Sequence, residues 1–245
     1  MPVGDDPWLS GPGGTGFPTT RWSVVLGVNG GSEEARSALE TLCRTYWLPV
    51  YSLIRERGSD PESARDLTQE FFSRLLSRDG VASARRELGR FRSYLSRSVK
   101  NFLSDEWDRS RARKRGGGEP LLSLDADDGE GRHLEVPHDV TPDRLFDLQW
   151  ARELVRLAHE RLRTEFAEEG RVAWWEVLHR VGDPDAPSLG EEANRLGLPL
   201  NTLKSHLRRA RQRQAAILRQ LVADTVSTPV DVDAELRHLL AVLAE

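Results

Sequence analysis

Residues 188–218, SLGEEANRLGLPLNTLKSHLRRARQRQAAIL, carry the start and stop signals that most restrict how this chain can fold. The Ser188 hydroxyl can accept from the backbone N–H of Glu191 while the Glu191 carboxylate reaches back, a capping box that opens a helix. Leu189, Ala193 and Leu196 fall on one side of that short helix. Gly197 stands where a helix closes in left-handed geometry, and Pro199 forbids continuation. Asn201 is the expected N-cap of a second helix. Leu203, Leu207 and Ala210 are spaced four and three apart, so that helix has one buried stripe. Thr202, Lys204, Ser205, Arg208, Arg209 and Arg211 are left on its outer faces. Between Leu200 and Gln220 there are six Lys/Arg (Lys204, Arg208, Arg209, Arg211, Arg213, Arg219) and no acid, in a chain of net charge −4. The positive charge is therefore placed, not general. A helix, a tight break and a basic second helix make a helix-turn-helix pattern. In that motif the start of the second helix meets base edges, and later cations meet phosphates. A solvated basic helix in an ordinary bundle is the competing reading.

Apolar residues elsewhere also recur at helical spacing. Ala35, Ala38, Leu39, Leu42 and Tyr46 predict a helix from Ser32, with Pro49 as a break or kink before Val50–Glu56. Asp60-Pro61 reads as an N-cap and first helical position for a helix to about Ser77, with Ala64, Leu67, Phe71 and Leu75 on one stripe. A third helix, about Phe91–Arg113, carries Leu95, Val99, Phe102, Leu103 and Trp107, and three glycines follow its basic end. Leu145 to Leu162 form another stripe. Further helices are expected over Glu168–Arg180 and, after Pro229, over Val232–Leu243. Almost nothing alternates with a period of two, so strands are not expected.

The fold class expected is all-α: two small helical domains joined by an acidic flexible linker. Residues 1–20, rich in Gly and Pro, read as a disordered lead. The first domain is expected over 21–115, the linker over 116–143, a second domain over 144–221 with the helix-turn-helix at 188–213, and an acidic extension over 222–245. Local charge is uneven, with nine acids against two Arg in 119–147 and six bases against three acids in 100–115. No apolar run approaches a membrane span and no signal peptide is apparent. The single cysteine, Cys43, rules out a disulfide framework within the chain. A cytoplasmic protein is expected.

Two segments together resemble a known family. SARDLTQEFFSRLL followed by FRSYLSRSVKNFLSDEWDRSRARKR is similar to region 2 of bacterial RNA polymerase sigma factors, and SLGEEANRLGLPLNTLKSHLRRARQRQ is similar to their region 4. Their order and the linker resemble the extracytoplasmic-function (ECF) type. The tryptophan-rich N-terminal helix and the tail DVDAELRHLL resemble its planctomycete group. The resemblance implies a protein that binds core RNA polymerase and directs promoter recognition, DNA melting and initiation. It implies polymerase docking by Asp66, Gln69, Glu70, Phe71 and Arg74. It implies contact with the minus-ten element by Asn101, Asp105, Arg109, Arg111, Arg113, Lys114 and Arg115, with 79–90 as the base-capturing loop. Contact with the upstream element falls to Asn201, Thr202, Lys204, Ser205, Arg208, Arg209 and Arg211. Glu192 departs from the family, which has an apolar residue there.

The residues themselves leave other readings. Asp66, Glu70 and Arg74 could be surface pairs at i,i+4 spacing, with Phe71 in the core. The acidic linker could mimic nucleic acid in the polymerase cleft or be only a solvated tether. The runner-up function is a stand-alone helix-turn-helix regulator with an N-terminal sensing or dimerisation domain. A third is an interaction adaptor. Enzyme chemistry is not expected: no phosphate-binding Gly loop is present, and Ser205 and His206 are helix neighbours that point apart. His133 and His138 lack a metal-ligand pattern, so no metal or cofactor is expected. The partners expected are core RNA polymerase, promoter DNA and an anti-sigma factor, without membrane insertion.

Overall fold

The computed structural model describes residues 22, 33–77, 90–113 and 141–244. Every regular element among them is an α-helix: α1 Glu33–Glu56, α2 Pro61–Leu76, α3 Phe91–Arg113, α4 Pro142–Glu168, α5 Val172–Arg180, α6 Leu189–Arg195, α7 Leu200–Ala223 and α8 Pro229–Ala244. The β-type pairing among the described residues is an isolated antiparallel bridge between Arg90 and Val226. The all-α expectation is met. The expected lead (1–20), nearly all of the 79–90 loop and most of the 116–143 linker lie outside the described residues. No described helix is long and apolar enough to cross a membrane.

The chain divides into two compact units. One contains the described residues of Pro18–Leu154 together with Val222–Glu245; the other contains Val155–Leu221. In the first, Asp60 caps α2 by accepting from the Ser63 backbone N–H at 3.0 Å, with Pro61 at the first helical position. Pro49 neither breaks nor ends α1, which runs through it. An interior proline costs about 3 kcal/mol, but Tyr46, Leu48, Val50, Tyr51, Leu53 and Ile54 around it are all buried. Their packing outweighs the missing donor.

The core of this unit is aromatic. Trp22 lies 4.9 Å from Phe91 and 5.8 Å from Tyr94, centroid to centroid, and Tyr46 meets Phe91 edge-on at 5.0 Å. The segment between α7 and α8 threads into this cluster: Trp22 donates its backbone N–H to Asp224 O, and Phe91 to Thr225 O, both at 2.9 Å. Val222, Ala223, Val226, Val232 and Leu239 are buried there. Cys43 is also buried, and burial pushes its thiol pKa up, so the thiolate that would react is disfavoured.

In the second unit Gly170, at φ +68°, closes α4. The helix expected from Glu168 therefore starts at Val172, because Glu168 still belongs to the helix before it. Ala158, Leu162 and Phe166 of α4 pack with Ala210 and Ile217 of α7. Val177 packs with Ala193, Leu203 and Leu207, joining α5, α6 and α7. The Arg213 guanidinium donates to both oxygens of Glu165, at 2.9 and 2.8 Å, and ties α7 to α4.

Candidate functional site

A short helix, a tight break and a second helix stand at 188–223, with the start of the second displaced from the expected cap. Ser188 Oγ accepts from Glu191 N at 3.3 Å and Glu191 Oε2 accepts from Ser188 N at 2.7 Å, so both arms of the capping box are present. The Ser188 hydrogen bonds hold the Glu191 carboxyl below its ordinary pKa. Gly197 takes φ +66°, and Leu198 N reaches back to Ala193 O at 2.9 Å. That six-to-one bond closes α6. Asn201 is not the N-cap: α7 begins at Leu200, and the Pro199 carbonyl accepts from Leu203 N at 3.1 Å. Proline lacks a donor but keeps its carbonyl, so it can start the ladder one turn ahead. Glu192 is buried and its Oε2 takes the Arg195 Nε at 2.7 Å, which accounts for an acid at an apolar position.

Seven residues of α7 were expected to face DNA. Asn201, Lys204, Ser205, Arg208, Arg209 and Arg211 are exposed and Thr202 is half-buried. The Ser205 hydroxyl donates to Asn201 O at 2.9 Å. Leu203, Leu207 and Ala210 are buried beneath them, and His206 meets the Trp174 ring at 4.3 Å. An apolar floor under a row of cations suits a helix that lies against a polyanion.

On α2, Asp66 and Arg74 are exposed, Gln69 and Glu70 are half-buried, and Phe71 is buried. Phe71 meets Phe72 and Phe102 edge-on at 5.2 and 5.6 Å. Arg74 pairs with Glu70 one turn back and with Glu106 of α3 at 2.8 Å, and its guanidinium sits 4.9 Å over the Phe102 ring. The i,i+4 pair read from sequence is thus present and also bridges to the next helix.

On α3, Asn101 and Asp105 are exposed and Arg109, half-buried, pairs with Glu106. Arg111 and Arg113 fall within the helix, with only their backbone described; Lys114 and Arg115 lie outside the described residues. A groove beside α3 is lined by Arg57, Leu67, Lys100, Leu103 and Trp107, and Trp107 is 62% exposed. No cluster of three or more potential metal ligands occurs among the described residues.

Sequence reasoning missed a network in this same unit. Arg92, at the start of α3, donates Nε to Glu235 Oε1 at 2.7 Å and Nη1 to Asp147 Oδ1 at 2.5 Å. Its guanidinium lies 5.1 Å over the Trp150 ring. Arg90 pairs with Glu235 at 3.2 Å, and His238 Nε2 lies 2.9 Å from Asp147 Oδ2. Burial works to lower the Arg92 pKa, but the hydrogen bond and charge of Glu235, with Asp147, hold it above its ordinary value. One signal was available. Glu235 lies three residues after Val232 and four before Leu239, so a charge sits on the apolar stripe of α8 and needs a buried partner.

Residues 42–113 match the family model for Sigma-70 region 2. The matched stretch takes in α2 and α3 and most of α1. It supports a sigma-70 family factor, with a role in RNA polymerase binding and promoter melting. No match was found among curated proteins or solved structures.

Proposed function

We propose that this chain is a two-domain sigma factor of the ECF type, resembling the planctomycete group, which binds core RNA polymerase, opens promoter DNA and starts transcription. The observation that carries the reading is the region 2 match over α2 and α3, joined in one chain to a helix-turn-helix at 188–213. In this reading 21–115 is region 2, 116–143 the linker and 144–221 region 4, with 1–20 as a lead and 222–245 as an extension; the first turns of α4, through Leu154, and the extension belong to the compact unit that holds α2 and α3. Asp66, Gln69, Glu70 and Arg74 meet the polymerase, and buried Phe71 holds their helix from beneath. Asn101, Asp105 and the arginines of α3 with Lys114 and Arg115 engage the minus-ten element. A base turned out of the stack is read by polar side chains, and cations hold the displaced strand. Asn201, Thr202, Lys204, Ser205, Arg208, Arg209 and Arg211 engage the upstream element. Catalysis belongs to the polymerase. An anti-sigma factor and a cytoplasmic location complete the reading.

The test is transcription in vitro from a promoter library, with core polymerase of the same organism. The full chain should select a subset of promoters that core alone does not transcribe. A stand-alone regulator would instead bind duplex DNA tightly without polymerase, because the helix-turn-helix suits either role. Tight duplex binding combined with no promoter selection would replace this reading with that one.

A further inference from the structure

The C-terminal extension has no role in the reading above, yet it packs in the same compact unit as α2 and α3. Glu235 of α8 is fully buried, and Arg92 is nearly so. The Arg92 guanidinium is little exposed and two of its donors are taken up by carboxylates, so its work is internal. Its two donors go to carboxylates on two different helices, Glu235 of α8 and Asp147 of α4, and the Trp150 ring covers its face. A planar fork held at two points and stacked on a third fixes direction as well as distance. Arg92 therefore sets how α3 is turned about its own axis. At 3.6 residues per turn, Asn101, Asp105 and Arg109 lie about 180°, 220° and 260° around α3 from Arg92. The pin lies across α3 from the exposed Asn101 and Asp105, with half-buried Arg109 to one side. Lys100, on α3, is held to Asp143 of α4 at 2.6 Å, and Glu106 to Arg74 of α2 at 2.8 Å. The α8 contact differs from these in being buried.

We propose that Arg92, Glu235 and Asp147 are positioning residues for promoter melting, and that the C-terminal helix α8 is a working part of the region 2 unit, holding the turn of α3 that aims Asn101, Asp105 and Arg109 at unpaired bases. This rests on the reading of α3 as the helix that engages the minus-ten element. A detachable inhibitor is the weaker alternative, because release would expose Val232 and Leu239 and leave Glu235 and Arg92 without each other.

The test uses the full chain with core polymerase, on a promoter selected by the unaltered protein. That promoter is used both as a duplex and with its melted segment opened beforehand by mismatches. Glu235→Gln keeps the shape and removes the charge. It should bind core within about twofold of the unaltered chain. It should open the duplex at least tenfold less well by permanganate reactivity of unpaired thymines, and recover to within about threefold on the pre-opened promoter. Asp147→Asn, at a partly exposed site, carries the same prediction if Glu235→Gln fails to fold. The double variant should lose less than the product of the two single losses, since both act through one guanidinium. Val232→Ala, on the same buried face without a charge, is the stability control. Equal loss of melting in Val232→Ala at matched thermal stability would overturn the proposal, as would normal melting by Glu235→Gln. If the unaltered chain opens no promoter with core, the sigma reading falls, and this proposal with it.

Discussion

The two units use arginine in opposite ways. In the unit that contains α2 and α3, Arg92 is turned inward, is nearly buried and is spent on Glu235, Asp147 and Trp150. In the unit of Val155–Leu221, α7 carries Arg208, Arg209 and Arg211 outward over a floor of Leu203, Leu207 and Ala210. Buried charge fixes geometry at a cost in desolvation; surface charge contributes little to stability and remains available to a polyanion. The first arrangement suits a part that must hold one shape while DNA strands separate. The second suits a part that meets intact duplex.

Arg92→Ala should separate the two uses most sharply. Removing one member of a buried ion pair costs about 3–5 kcal/mol, so the first unit should lose about that much in urea unfolding followed by tryptophan fluorescence. A loss below about 1 kcal/mol, the scale of a surface pair, would erase the contrast. Ser188→Ala removes the acceptor of the Glu191 N–H and should cost the second unit about 1 kcal/mol, the usual worth of an N-cap. Its unfolding midpoint should shift while that of the first unit stays in place. Arg208→Ala should change stability by no more than about 0.5 kcal/mol, as for other surface sites. In the polymerase complex it should still weaken upstream DNA binding and reduce the salt slope by about 1. An unchanged slope would mean that Arg208 does not face phosphate.

The smallest effect concerns pH. Burial and the nearby His179 ring hold the His159 pKa below its ordinary value. The folded unit thus favours neutral His159. That contribution is complete above about pH 6.5, the unfolded value, and is lost as pH falls through the lowered folded value. Thermal melts of the second unit should weaken over that window, and His159→Gln should flatten the slope. An identical slope in the variant would assign the dependence to other groups.

What the sequence made legible was local. The capping box at Ser188, the left-handed Gly197 and the Asp60-Pro61 start are decided within a few residues, and all three appear in the structure. Pro49, which reads locally as a break or kink, does not break α1, because its tolerance comes from buried neighbours that only the folded core supplies. Asn201 is not the cap because the helix starts before it, at Leu200, with the Pro199 carbonyl accepting the first bonds of the ladder. The exposed polar residues of α7 could be placed from their register against Leu203, Leu207 and Ala210. The Arg92–Glu235 pair could not, because 143 residues separate its members and no local pattern joins them.

The central claim is tested most directly by equilibrium binding of the full chain to purified core RNA polymerase, comparing the unaltered protein with Asp66→Lys. Asp66 is exposed on α2, so the change should leave the fold intact. The account predicts a stable one-to-one complex for the unaltered chain and at least tenfold weaker binding for Asp66→Lys. No complex with core, in the absence of any inhibitor, would contradict the account.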